Sequence, residues 1–286
     1  MTGLTHSFTL KNHMVIPRLG QGTWYLGQNI RPIRQEIETL RWGIDLGMTL
    51  IDTAEMYGDG AAESLVGTAI SHVEREKLFL VSKVYPQNAG KRLEKSLDAS
   101  LRRLGTEYLD MYLLHWRGSI PLRETAEYME RQVEAGKIRS WGVSNLDLQD
   151  MQELMDTGLG EHCMVDQVLY HLGSRGVEYE LQPWLENKQI GLMAYCPLAQ
   201  GGSLRRGLLE NATVQEIACN HNATGAQVLL NFVLQRRNVI AVPKASTITH
   251  VEENAKALEF SLDDEELQQL NQEFPAPDHR TKLDVV

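Results

Sequence analysis

Eight short apolar runs punctuate the chain, at residues 18–22, 48–51, 78–81, 109–114, 140–143, 164–168, 190–194 and 239–242. Most are separated by stretches whose apolar residues fall three and four apart, such as 33–46, 93–104, 122–135 and 226–234, the spacing of an amphipathic helix. Strand and helix therefore alternate. The strand runs are continuously apolar rather than alternating, as expected where helices cover both faces of a parallel sheet. A length of 286 residues fits two average domains or one α/β barrel. Eight units, with no linker rich in Pro, Ser or charge, favour a single (β/α)8 TIM barrel occupying residues 1–286 as one domain. Residues 7–10 and 14–17 read as an amino-terminal β-hairpin placed to close the barrel bottom. Ser261–Asp264 reads as a capping-box-like start to a last helix, and only a short tail after Pro275 looks irregular.

Charge narrows the partners. With 28 basic and 38 acidic residues, the net charge of −10 gives no global reason to bind nucleic acid or an anionic membrane. An anionic ligand needs a local basic pocket. Three cysteines without a Cys-x-x-Cys spacing, and histidines without a paired metal-ligand spacing, argue against a disulfide framework and a metal site. The amino terminus lacks the basic and apolar segments of a secretion signal, and no apolar run reaches membrane-spanning length. A cytoplasmic, monomeric protein acting on a small molecule is the expectation.

The polar residues that follow the apolar runs are more informative. Asp52 ends the second run, Lys83 follows the third, His115 the fourth and Ser144-Asn145 the fifth. Gln167 closes the sixth, Tyr195 ends the seventh and Lys244 follows the eighth. Polar residues commonly stop strands, so any one of these is unremarkable. In a parallel barrel, however, all C-terminal strand ends open on one face, where active sites lie.

An acid, a lysine, a histidine and Tyr57, five residues beyond Asp52, can together perform proton chemistry. A phenol with an unperturbed pKa near ~10 exchanges its proton poorly at neutral pH. Lys83 would lower that pKa, Asp52 would keep Lys83 charged, and His115 would orient a carbonyl or share the proton.

In this order, Gly20-Gln-Gly-Thr-Trp24, Asp52-Thr-Ala-Glu-Met-Tyr57, Val81-Ser-Lys83, Leu113-Leu-His115, Gly142-Val-Ser-Asn145, Gln167, Ala194-Tyr-Cys-Pro-Leu198 and Val242-Pro-Lys244 resemble the aldo-keto reductases over essentially the whole chain. The resemblance implies a nicotinamide-dependent carbonyl reductase with Asp52, Tyr57, Lys83 and His115 as its catalytic residues. It also implies that Ser144, Asn145 and Gln167 hold the carboxamide while Tyr195 stacks on the nicotinamide. Gly22, Thr23, Asp52, Pro197 and Leu198 would line the rest of the coenzyme site. Lys244, followed by a segment leading into a helix, would grip phosphate, and Glu253 and Asn254 match the adenine-binding pattern.

Two positions depart from the family. Ala245 stands where a serine is usual, and His250 where an arginine usually meets the adenosine phosphate. NADPH is expected, with a margin over NADH smaller than a Lys-plus-Arg pair gives. No Gly-x-Gly-x-x-Gly fingerprint is present or required. Trp24 and Trp116, with Tyr25, could wall the substrate site, and the short segment after His115 and the short tail suggest an open one. The motif variants look most like bacterial enzymes that reduce small aldehydes and 2-oxoaldehydes such as methylglyoxal. Two rivals are a coenzyme-binding regulatory subunit on the same fold and an aldolase using Lys83 as a Schiff-base nucleophile.

Overall fold

The computed structural model describes residues 4–29 and 33–286; residues 1–3, part of the amino terminus read above for a secretion signal, lie outside the described residues. Strands β1 (Ser7–Thr9) and β2 (Val15–Pro17) form the antiparallel hairpin, with Ser7 opposite Pro17. All eight apolar runs then become strands: β3 (Gly20–Gly22), β4 (Leu50–Asp52), β5 (Phe79–Val84), β6 (Met111–Leu114), β7 (Trp141–Ser144), β8 (Cys163–Leu169), β9 (Gly191–Tyr195) and β10 (Val239–Val242). Between them run α1 (Ile33–Asp45), α2 (Ala61–Ile70), α3 (Leu93–Leu104), α4 (Leu122–Glu134), α5 (Leu148–Asp156) and α6 (Leu181–Asn187). Helices α7 (Gly202–Glu210), α8 (Ala212–Asn220) and α9 (Gly225–Val233) separate β9 from β10, and α10 (Ile248–Ala255) and α11 (Asp264–Glu273) follow.

Strands β3 to β10 pair in parallel with their chain neighbours. The sheet closes on itself where Gly22 N–H donates to Pro243 O at 3.0 Å and Ala241 N–H to Arg18 O at 2.8 Å. Gly22 is required at this seam, because a Cβ there would lie 2.7 Å from the Val242 carbonyl oxygen. The architecture is the expected (β/α)8 barrel.

Two apolar layers hold it. Inside the barrel, Leu50, Val81, Met111, Leu113, Val165 and Ile240 pack together, and Leu10 and Ile16 of the hairpin join them, which closes the bottom. Outside, the helices bury one stripe each against the strands; α3 contributes Leu93, Leu97, Leu101 and Leu104, spaced for one helical face. The last helix starts later than the sequence reading placed it. Its cap is Asp263, whose side chain accepts from Glu266 N–H while Glu266 answers to Asp263 N–H. Ser261 fails as the box because the residue three on is Asp264, one methylene short of the return bond that a Glu or Gln makes.

Arg18, read from the sequence as the start of an apolar run, has a structural task. Its buried guanidinium donates to the carbonyl oxygens of Val239, Leu234 and Arg236, the turn that feeds β10 into the seam. Burial pulls its pKa down to about 10, which leaves the group charged at neutral pH. Arg18→Met keeps much of the volume but orphans those carbonyls, so we expect a loss of about 2 kcal/mol or more in urea unfolding. An unchanged unfolding midpoint would show that the seam does not depend on this side chain.

Candidate active site

Because every barrel strand points the same way, the residues at their C-terminal ends meet in one mouth. Asp52 is the last residue of β4, Lys83 the penultimate of β5, and His115 follows β6 directly. Lys83 Nζ lies 2.8 Å from each Asp52 carboxylate oxygen, 2.9 Å from Thr53 O and 3.2 Å from Tyr57 Oη. The lysine is completely buried. It donates to the phenol oxygen, which leaves the phenol's own proton to point elsewhere. Tyr57 packs edge-on against His115 with ring centroids 5.7 Å apart.

The loop carrying Tyr57 is tied at both ends. Thr23 donates to Asp52 O through its N–H and its hydroxyl. Glu55 accepts from Tyr85 N–H at 2.6 Å and from Asn88 Nδ2 at 3.2 Å. Beyond Tyr57 the chain turns into α2 through left-handed residues Gly58, Asp59 and Gly60. Gly60 also has no room for a Cβ, which would meet Arg103 at 2.5 Å.

Two adjoining cavities share Trp24, Tyr57 and Tyr195. The larger, about 160 Å³, runs from Tyr57 past Thr23 and Leu198 to Lys244. The smaller, about 70 Å³, lies over Tyr57 and His115 between Trp116, Met56 and Val286. A protonated phenol, a lysine behind it and an imidazole beside it thus face a small aromatic chamber that opens into a longer cleft. Such an arrangement can donate a proton to a small polar group.

Residues 18–273 match the family model described as the aldo/keto reductase family. The chain belongs to that family. It is 56% identical to the methylglyoxal reductase YeaE of Escherichia coli over 272 residues, 95% of each chain, and 33% identical to a glyoxal reductase of Bacillus subtilis over 273 residues, 94% of this chain and 93% of the relative. A crystal structure of an aldo/keto reductase from Klebsiella pneumoniae in complex with NADP and acetate superposes with a TM-score of 0.95 at 50% identity, each chain covered completely.

Within this aldo/keto reductase the other residues singled out from the sequence fall into two groups. Gly22, Thr23, Trp24, Tyr195, Pro197, Leu198 and Lys244 border the longer cleft, while Trp116, Ser144, Asn145 and Gln167 border the chamber. Four of the polar ones are linked: Tyr195 Oη donates to Asn145 Oδ1 at 2.9 Å, and Asn145 Nδ2 donates to Ser144 Oγ at 3.1 Å. Ser144 Oγ in turn donates to Gln167 O at 2.8 Å, and Gln167 Nε2 donates to Asp52 Oδ1 at 2.8 Å. His250, Glu253 and Asn254 stand apart on α10 and border neither cavity; His250 is exposed and Asn254 buried.

Three expectations need correction. The tail after Pro275 does not leave the mouth open. Asp284 accepts from Ser174 Oγ, Arg280 pairs with Glu180 at 2.9 Å, and the tail carries Val286 to the chamber wall. Lys83 does not depress the Tyr57 pKa. Burial first, then the Asp52 charge, push it well above the ordinary phenol value, because the Lys83 charge is spent on Asp52. Nor can His115 share a proton at neutral pH, since burial and the Lys83 charge pull its pKa down to about 2.

The sequence reading missed Met56, Val286 and Arg205. Arg205 borders the longer cleft from α7; the Gly201-Gly202 pair ahead of a basic doublet was the available signal.

A neutral His115 has a direct spectroscopic consequence. Its ring nitrogen resonances should not titrate between pH 5 and 8. A His115 midpoint near 6.5 would contradict the burial argument.

Proposed function

We propose that this chain reduces small aldehydes with NADPH, 2-oxoaldehydes such as methylglyoxal among them, and that residues 1–286 act as one unit. The observation that carries the reading is the Lys83 to Tyr57 contact inside a small aromatic chamber, continuous with a cleft that holds cations. The likeness to a methylglyoxal reductase and to a glyoxal reductase supports the substrate class. A further structure from Klebsiella pneumoniae in complex with NADPH, with a TM-score of 0.95 at 51% identity, supports the coenzyme.

The residues fit that coenzyme. Lys244 and Arg205 border the longer cleft, and among the described residues neither forms an ion pair. Gly22 lines the same cleft, and Tyr195 offers a ring beside Tyr57. When bound, NADPH supplies the hydride. Ser144, Asn145 and Gln167 offer hydroxyl and amide groups for the carboxamide, Thr23, Pro197 and Leu198 line the cleft, and Lys244, His250, Glu253 and Asn254 serve the adenosine end.

Tyr57 acts as the acid. Its raised pKa keeps the proton in place until negative charge grows on the carbonyl oxygen. Lys83, donating to the phenol oxygen, then stabilises the charge left on it, and Asp52 holds Lys83 in place. His115, neutral, offers an N–H to the same carbonyl oxygen and fixes the aldehyde between Trp24 and Trp116. A chamber near 70 Å³ suits a compact carbonyl compound. The aldolase alternative is disfavoured by a Lys83 amine that is fully buried and committed to Asp52, Thr53 and Tyr57. Three unpaired cysteines fit a reducing, cytoplasmic setting.

Tyr57→Phe removes the proton donor and retains the ring. Methylglyoxal reduction should fall about 10²–10⁴-fold while NADPH binding persists; near-normal turnover with chemistry rate-limiting would remove Tyr57 from the role. His250→Arg should widen the ratio of NADPH to NADH specificity constants, because a guanidinium binds phosphate in bidentate fashion and an imidazole does not. A wild-type preference for NADH would overturn the phosphate assignment of Lys244 and His250.

A further inference from the structure

We infer that Arg117 is a positioning residue for the carbonyl substrate: by docking the segment after β6 onto α5 it holds Trp116 against the chamber and so sets which aldehydes enter. This rests on the function proposed above. Trp116 borders the chamber and packs on His115 and Tyr85, with ring centroids 4.8 and 5.0 Å away. Residues 116–120 lie in no strand or helix. Their backbone makes no hydrogen bond among the described residues, and their only polar ties are three bonds from the Arg117 guanidinium. Van der Waals contact adds a floor, since a Cβ on Gly118 would lie 2.7 Å from the Pro86 side chain. Contact of that kind limits approach but does not fix direction.

The anchor that Arg117 uses is rigid. Helix α5 starts three residues after Asn145, itself on the chamber wall. Its cap Asp147 accepts from Asp150 N–H at 2.9 Å, and Met151 and Leu154 bury its inner face. Asp150 and Glu153, three apart, share one side of the helix. Arg117 Nη1 lies 2.8 Å from Asp150 Oδ1 and 2.8 Å from Glu153 Oε2, and Nη2 lies 2.9 Å from Glu153 Oε1. A planar fork gripping one carboxylate with two nitrogens fixes direction as well as distance, which an ammonium does not. The three side chains are 33%, 27% and 51% exposed. Pairs this open add little to global stability, so their effect falls on the loop they hold. The tail that brings Val286 to the chamber docks on the same helix end, with Arg280 3.7 Å from Asp147. Two walls of the chamber thus share one frame.

The test pairs steady-state kinetics at saturating NADPH, for methylglyoxal and the bulkier benzaldehyde, with amide hydrogen exchange of residues 116–120. Wild type, Arg117→Met, Arg117→Lys, Glu153→Gln and the Arg117→Met/Glu153→Gln double variant are compared, with thermal unfolding as the check on folding. Arg117→Met should raise KM for methylglyoxal about three- to fivefold and leave kcat within about twofold. Its KM for benzaldehyde should rise less, so the ratio of specificity constants moves toward the larger aldehyde. Exchange should quicken in residues 116–120 while the barrel strands and NADPH affinity stay as in wild type. Arg117→Lys should recover part of the KM, and adding Glu153→Gln to Arg117→Met should cost nothing further. If Arg117→Met does not fold, Arg117→Lys and Glu153→Gln carry the same comparison. An unchanged ratio between the two aldehydes, or unchanged exchange in residues 116–120, would overturn the inference. Equal losses in kcat for both aldehydes with weaker NADPH binding would also overturn it, as the mark of a general structural role. Failure of the wild type to reduce either aldehyde would instead sink the proposed function, and exchange would still report on the docking.

Discussion

The Asp52–Lys83 ion pair is the constraint around which the mouth of the barrel is arranged. Both groups are buried, and the lysine is wholly so. Taking an ammonium out of water costs several kcal/mol, which the Asp52 charge repays only with excellent geometry and every remaining donor used. The structure meets both conditions, with two 2.8 Å contacts to the carboxylate, one to Thr53 O and one to Tyr57 Oη. Asp52 is anchored in turn by Gln167, and the loop carrying Tyr57 by Thr23 and Glu55. Removing one partner of such a pair strands the other, so the pair fixes the relative register of β4 and β5 as well as the phenol's environment.

This arrangement accounts for a Tyr57 phenol held well above its ordinary pKa, as the proposed role of proton donor requires. A lysine with a free positive charge beside the phenol would favour phenolate and empty the site of its proton. With Asp52 cancelling that charge at rest, burial dominates and the proton stays. The same burial, with Lys83 nearby, keeps His115 neutral, so the chamber holds one transferable proton and one neutral donor. Rigid strand ends supply this order without further support, since side chains packed at both faces of a parallel sheet have little freedom to rearrange.

How much of this was legible in the sequence follows from the same geometry. The strands were readable because burial on both faces makes them continuously apolar, and the site residues at their ends because parallel direction sends all of those ends to one mouth. Strand-end position alone placed Asp52, Lys83, His115, Gln167 and Tyr195 together. The Tyr57 pKa was not readable: the sequence offers a neighbouring lysine, but the sign of its influence depends on how completely Asp52 neutralises it and how deeply both are buried. Val286 was not readable either. It reaches the mouth through a tail with no periodicity, and its distance in sequence from the other site residues carries no record of its proximity in space.

Charge supplies the last link. A protein with a net charge of −10 repels a coenzyme that is itself a polyanion, at distances beyond a Debye length of roughly 8 Å only weakly and within it strongly. Attraction must therefore be local. Lys244 at the barrel seam and Arg205 on α7 both border the cleft, and neither is neutralised by a carboxylate among the described residues. Beside Tyr57 the Asp52 charge is instead cancelled by Lys83. Unpaired cations mark where an anion binds, and a paired cation marks where a charge is only transient.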